Sequence, residues 1–232
     1  MKPTGWETPV TALAPKGEEL TPDELLSTTR AVRKRLDLTR PVPDGLIREC
    51  VALALQAPSG SNRITMQFVV VRDPAKRAAI GAIYAEAWEI YKQLPSFAGK
   101  VERATEAEQA QQQRVVDSAT YLSQHMGEVP VLVIACSTAG RSDGGPAMLS
   151  ASMLGNVLPA TWSFMLAARA RGLGSSWTTI HLMKEQEVAE VVGIPYDSVQ
   201  QVCLFPLAYT VGTDFKPAVR PEPDTIIHWD AW

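Results

Sequence analysis

The amino-acid sequence predicts an α+β fold, with a single domain over residues 21–232 in which a β-sheet lies between helical layers. Residues 148–174 carry no charge before Arg169 and present apolar side chains on every face of a helical wheel, which indicates a long central helix that is buried all round. Short apolar runs of strand length alternate with longer segments of helical periodicity. With 46% hydrophobic and 20% charged residues, the chain has the composition of a globular domain.

The first elements are two helices and a strand. Residues 21–24, Thr-Pro-Asp-Glu, provide an N-cap, a proline at the first helical position and a capping-box carboxylate. Residues 43–57 have the apolar spacing of a helix, and residues 66–72 fit a strand. Between them, the turn formers at residues 58–62 predict a polar loop. Ligands are often bound in such loops, although a plain connector has a similar composition.

The middle of the chain predicts an outer helical layer, a strand and the central helix. Helices are expected over residues 73–94, which open with Asp-Pro, and over residues 101–125, which are rich in Ala, Glu and Gln. Residues 129–136 form an apolar run of strand length before the central helix. Along that helix, small residues at a four-residue spacing form a smooth stripe on which another helix or a second subunit can lie. These small residues are Ala147, Ala151 and Gly155.

The C-terminal part predicts a short β-prone segment over residues 175–180, a helix over residues 184–192 and a strand over residues 199–209. Residues 210–232 contain too many prolines for regular structure and are expected to wrap over another surface. Residues 1–20 are expected to form an extended N-terminal arm.

The composition also argues against several classes of partner. A net charge of -3 and a pI near 5.7 give no global field for nucleic acid. The Ser, Asn, Pro and Thr residues of the central helix are poorly suited to lipid, which disfavours a membrane span. The N-terminus has no apolar run of signal-peptide length. Three widely spaced cysteines with apolar neighbours, Cys50, Cys136 and Cys203, are interpreted as buried thiols, so a cytoplasmic protein is predicted.

The common local motifs of catalysis are missing from the sequence. The three histidines have no metal-ligand spacing, so no metal site is predicted. Gly172 and Gly174 end a helix, whereas a dinucleotide fingerprint would open one. What remains is a set of distant cationic, hydroxyl and amide groups, and their spacing leaves open whether they meet. If they met, the cations could neutralise a phosphate dianion while the polar groups bound a ring with several carbonyls and nitrogens.

Three motifs in this order resemble the FMN-dependent nitroreductase family, from about residue 25 to the end. They are Thr-Arg-Ala-Val-Arg at residues 29–33, Ala-Pro-Ser-Gly-Ser-Asn at residues 57–62 and Leu-Ala-Ala-Arg-Ala-Arg-Gly-Leu-Gly at residues 166–174. The resemblance implies an intertwined homodimer with an FMN at each of two interface sites built from both subunits. The central helix would lie at the dimer core, and residues 210–232 would wrap the partner subunit.

The resemblance also implies site residues, although no catalytic side chain. The first motif matches a run that contacts the flavin phosphate, the ribityl chain and the N1/O2 edge, where a cation stabilises the anionic reduced flavin. The second matches a loop that reaches the flavin ring from the same or the partner subunit. A third group matches the segment that faces N5 of the flavin, and a fourth matches the C-terminal cations that bind the phosphate. In order, the residues are Arg30, Ala31 and Arg33; Pro58, Ser59, Gly60, Ser61 and Asn62; Ser176, Trp177 and Thr178; and Lys216 and Arg220.

Two positions depart from the family pattern. Ala31 stands where many members have Ser, and residues 63–66 stand where many have Gln-Pro-Trp after the loop Asn. The function implied is transfer of electrons from NAD(P)H through FMN to a nitroaromatic, a quinone or a similar small acceptor by a ping-pong mechanism. Two alternatives stay open. One is a different flavin reaction on the same fold, either reductive dehalogenation or flavin fragmentation, and the other is non-catalytic flavin binding and storage.

Overall fold

A computed structural model of the chain describes residues 20–141 and 145–232, so the predicted arm, residues 1–20, lies outside the described residues except for its last position. The helices are α1 Pro22–Thr28, α2 Asp44–Ala54, α3 Pro74–Gln93, α4 Glu106–His125, α5 Ala147–Arg169 and α6 Glu185–Val192. The strands are β1 Met66–Val71, β2 Val131–Ser137, β3 Leu173–Ser175 and β4 Gln200–Tyr209.

The four strands form one antiparallel sheet in the order β1-β2-β4-β3. Because side chains alternate along a strand, β2 contributes to two cores. Val131 and Val133 pack with α2 and α5 on one face, and Leu132 and Ile134 pack with α3, α4 and α6 on the other. Burial on both faces explains why β2 is apolar throughout, and it confirms the prediction of a sheet between helical layers.

The central helix, α5, is continuous through Pro159. Its C-terminal half is in the core, where Phe164 and Ala168 are fully buried. Within one chain its N-terminal half is buried on one side only, and the other side is exposed. The exposed side carries the predicted small-residue stripe, Ala147, Ala151 and Gly155, and the large apolar residues Met148, Leu149, Leu154, Leu158 and Trp162.

Several element boundaries differ from those predicted. The third strand is residues 173–175, and the segment that was expected to be β-prone, residues 175–180, continues mostly as irregular chain. Beyond Ser175, that segment is paired through Thr178, which exchanges two backbone hydrogen bonds of 2.9 and 3.0 Å with Leu204. Helix α4 begins only at Glu106, because Thr105 and Glu108 form a capping box there.

The C-terminal segment 210–232 contains one 3-10 turn, Pro223–Thr225, and no helix or strand, as its prolines predict. All three cysteines are buried free thiols, which confirms that part of the prediction. Among residues 20–141 and 145–232, no helix combines the length and the apolar character needed to cross a membrane. Within the same residues, no cluster of three or more His, Cys, Asp or Glu side chains could hold a metal ion.

Candidate functional site

The segment after α1 is fixed to the edge of the sheet. Ala31 forms a parallel bridge with Ser175, and the Val32 amide donates a 2.9 Å hydrogen bond to the Ser175 carbonyl. The Val32 side chain is buried in the core, with 5% of its surface exposed. Since side chains alternate along extended backbone, burial of Val32 turns Arg33 away from that core. The fold therefore places the first motif, residues 29–33, beside Ser175, which lies between the third motif, residues 166–174, and the candidate segment 176–178.

A polar cavity of about 400 Å³, called the cation cavity below, lies between this segment, α4 and the C-terminal segment. It is lined by Arg30, Ala31, Arg33, Gln111, Arg114, Val115, Ser118, Pro217, Ala218 and Val219.

The guanidinium groups of the cation cavity have only neutral partners. Arg30 Nη1 donates to the Lys216 carbonyl at 3.0 Å, and Arg33 Nη1 donates to Ser118 Oγ at 3.3 Å. Among the described residues, no carboxylate forms an ion pair with Arg30, Arg33 or Arg114. Burial lowers the pKa of the Arg33 guanidinium below its usual value, because desolvation disfavours the charged form. Unpaired cations around a concave surface favour binding of a multivalent anion.

A second cavity, of about 350 Å³, is called the aromatic cavity, and Arg33 lines both cavities. Its aromatic wall includes Trp88 and Tyr91, and three of the predicted residues also line it: Ser176, Trp177 and Thr178. The Tyr84 hydroxyl and Thr178 Oγ1 lie 2.9 Å apart and share a hydrogen bond. Burial raises the pKa of Tyr84, so the phenol stays protonated at neutral pH and can serve as a donor or an acceptor.

The loop over residues 58–62 lies at a third cavity, of about 470 Å³, which includes Gly60, Ser61 and Arg63 and the N-terminal half of α5. Asn156 of α5 fixes the loop, because its Oδ1 accepts a hydrogen bond from the Gly60 amide. Ser61 and Asn62 have φ of 55° and 52°, in the left-handed region that short polar residues tolerate.

One chain therefore brings the predicted residues together in two groups. Arg30, Ala31 and Arg33 meet residues 176–178 at the paired cavities, whereas Gly60 and Ser61 of the loop line the third cavity. The other loop residues, Pro58, Ser59 and Asn62, line none of the three cavities. Lys216 and Arg220 are exposed and do not line the cation cavity, although residues 217–219 between them do.

Four polar residues near these cavities were not predicted as site residues: Tyr84, Arg114, Ser118 and Asn156. Arg114 and Ser118 are four residues apart on one face of a polar helix, and this spacing is the feature of the sequence that could have identified them. Without the fold, such a helix is interpreted as a solvated outer layer.

A sequence model of the nitroreductase family matches residues 26–209. The chain belongs to the nitroreductase family. The family suggested by the three sequence motifs is thus confirmed.

Solved structures share the fold of this nitroreductase-family chain at low sequence identity. An oxidised iodotyrosine deiodinase bound to FMN and 3-iodo-L-tyrosine is 20% identical, with a TM-score of 0.67 over 90% of this chain and 99% of that chain. The FMN- and NADPH-dependent nitroreductase NfnB from Sphigopyxis sp. strain HMH is 20% identical, with a TM-score of 0.62 over 92% and 100%. In sequence, an NADH dehydrogenase of Thermus thermophilus is 44% identical over 68 residues, which are 27% of this chain and 33% of that relative.

Proposed function

We propose that this chain is an FMN-dependent oxidoreductase that passes electrons from NAD(P)H to a nitroaromatic, a quinone or a similar small acceptor by a ping-pong mechanism. The observation that carries the proposal is the group of unpaired guanidiniums in the cation cavity, next to the aromatic cavity. Membership of the nitroreductase family supports it, as do similar structures described as binding or depending on FMN.

The described residues fit FMN in charge and in chemistry. A phosphate monoester carries a charge of about -1.5 to -2 at pH 7. Arg30 and Arg33 offer two charges with no carboxylate partner among the described residues, and Lys216 and Arg220 are proposed to add to them. Ser176 and Trp177 carry hydroxyl and backbone donors beside the adjoining cavity, where they would give a flavin ring partners for its carbonyls and nitrogens. The Thr178 amide already donates to the Leu204 carbonyl, so Thr178 would contribute through its hydroxyl.

Bound FMN would supply the redox chemistry, and the protein residues bind and orient. Arg30 and Arg33 would hold the phosphate by charge-assisted hydrogen bonds. Ser118 fixes the guanidinium of Arg33, and Tyr84 fixes the hydroxyl of Thr178. Trp88 and Tyr91 would cover part of a bound ring, and limiting water there would strengthen these polar contacts. We assign no side chain as a catalytic residue.

We further propose a homodimer. The exposed face of α5 joins a stripe of small residues to large apolar side chains, a combination that favours close packing of a second copy. In such a dimer, the loop over residues 58–62 of the partner subunit would complete the flavin site. The segment 210–232 would wrap the partner, which fits the exposure of Ile226, Trp229 and Trp232. The buried free thiols support the proposed cytoplasmic location.

The test is a spectral titration of the purified protein. The proposal predicts a yellow protein whose visible flavin bands bleach with NADH or NADPH under anaerobic conditions and recover when an acceptor is added. A colourless protein that gains no tightly bound FMN on reconstitution would contradict it. Flavin that stays oxidised with both nicotinamides would instead support the storage alternative.

A different flavin reaction on the same fold is the second candidate. The similarity in fold to the deiodinase keeps reductive dehalogenation open. The region where a substrate lid can differ is residues 91–114, which comprise the end of α3, the connection to α4 and the first half of α4. An anaerobic screen of acceptors would separate the candidates. Inactivity towards all nitro compounds and quinones, together with turnover of a halogenated aromatic, would favour this second candidate.

A further inference from the structure

The face of α4 that lines the cation cavity is largely polar. Gln111, Arg114, Val115 and Ser118 line the cavity, and their spacing of three, four and seven residues places them on one side of the helix. Only Val115 is apolar. Arg114 and Val115 are both exposed, so an anion from solvent can reach this wall of the cavity.

The hydrogen bonding of Arg114 differs from that of Arg103, which precedes α4. Arg103 donates from Nη2 to Gln112 Oε1 at 2.8 Å. The Arg114 side chain forms no hydrogen bond or ion pair with any residue that the structure describes. It lies one helical turn from Ser118, which accepts the hydrogen bond from Arg33. Three guanidiniums, Arg30, Arg33 and Arg114, thus border one cavity, and like charges repel one another unless an anion lies between them.

We infer that Arg114 is a third guanidinium for the flavin phosphate, so that α4 takes part in holding the cofactor. The inference rests on the proposed function and extends it to an element outside the three sequence motifs. A phosphate offers three terminal oxygens, enough for several arginine forks. The competing occupant is an anionic group of the acceptor, and the experiment separates the two.

The experiment compares FMN with riboflavin, which has the same ring and ribityl chain but no phosphate. Flavin is removed from the purified protein, and each ligand is titrated by fluorescence quenching into the wild type, Arg114→Gln and Arg103→Gln. Arg103→Gln is the matched control, since it removes the same charge from the same region at a side chain that bonds to Gln112. Arg114→Gln is expected to weaken FMN binding roughly tenfold and to change riboflavin binding less than about twofold, while Arg103→Gln changes neither.

Three results would overturn the role of Arg114 alone: an unchanged FMN affinity in Arg114→Gln, an equal loss for both flavins, or an equal loss in the Arg103→Gln control. An unchanged FMN affinity with a raised KM for an anionic acceptor would assign Arg114 to the acceptor instead. A wild-type protein that binds neither flavin would overturn the proposed function together with this inference.

Discussion

The variant Arg33→Met tests whether Arg33 binds FMN or stabilises the fold. Methionine keeps an unbranched apolar stem but removes the charge. Arg33 is half-buried, and its guanidinium has one neutral hydrogen-bond partner among the described residues, the Ser118 hydroxyl, at 3.3 Å. Losing such a bond costs about 0.5–1.5 kcal/mol, and relief of the desolvation that lowers the pKa of Arg33 offsets part of that cost.

The stability of the flavin-free protein should therefore change little, whereas FMN binding should fall sharply. A hydrogen bond to a charged group contributes about 1.5–3 kcal/mol, so the dissociation constant for FMN should rise roughly 10- to 150-fold. The melting temperature of the flavin-free variant should stay within about 4 °C of the wild type. Fluorescence titration and thermal melts measure the two quantities, with Arg48→Met, an exposed arginine on α2, as the control. An unchanged FMN affinity would refute this account of Arg33, and so would a loss of FMN affinity that comes with a large loss of stability.

Three further predictions concern the dimer, the thiols and acid stability. Gly155→Leu should fold, because nothing lies within 4 Å of an added Cβ in one chain, but it should block close approach of a second α5, so sedimentation should show monomers without FMN. A wild-type-like dimer would contradict that. Burial raises the pKa of the Cys50, Cys136 and Cys203 thiols to about 12, so a thiol reagent at pH 8 should modify them only after unfolding in urea; rapid labelling of the native protein would show that they are accessible. Burial lowers the pKa of His181 to about 3. Below about pH 6.5, His181 therefore binds a proton in the unfolded chain but not in the folded chain, and the free energy of unfolding should fall by up to about 1.4 kcal/mol per pH unit. His181→Leu should flatten that slope between pH 7.5 and 5.5 in urea titrations, and an unchanged slope would assign it to other groups.

Much of the architecture could be predicted from local patterns. The apolar run of β2 and the helical spacing of α2 follow from burial, and burial is determined by side-chain type. The start of α4 was placed too early, because the capping box at Thr105 and Glu108 determines where that helix begins. The strand at residues 173–175 was missed because its pairing with β4 is a long-range contact. Tertiary pairing of this kind overrides a local β-propensity.

The candidate site was predictable only in part. Arg30 and Arg33 stand out as a basic motif, but their partners come from α4 and the C-terminal segment, far away in sequence. The separation of residues 58–62 from residues 30–33 within one chain depends on the fold alone. Two observations support the proposal that a partner subunit supplies that loop: the loop and the arginines line different cavities in one chain, and one face of α5 is exposed and apolar.

The shared site between two subunits is tested most directly by a mixed dimer. One chain carries Arg30→Glu and Arg33→Glu, and the other carries Asn62→Trp; each homodimer alone is expected to lose FMN. If each flavin site takes its cations from one chain and its loop from the other, the mixed dimer keeps one intact site and one doubly altered site. The account predicts one FMN per mixed dimer, measured by absorbance after purification through two different affinity tags. A mixed dimer that binds no FMN would show that each site lies within a single chain and would contradict the account.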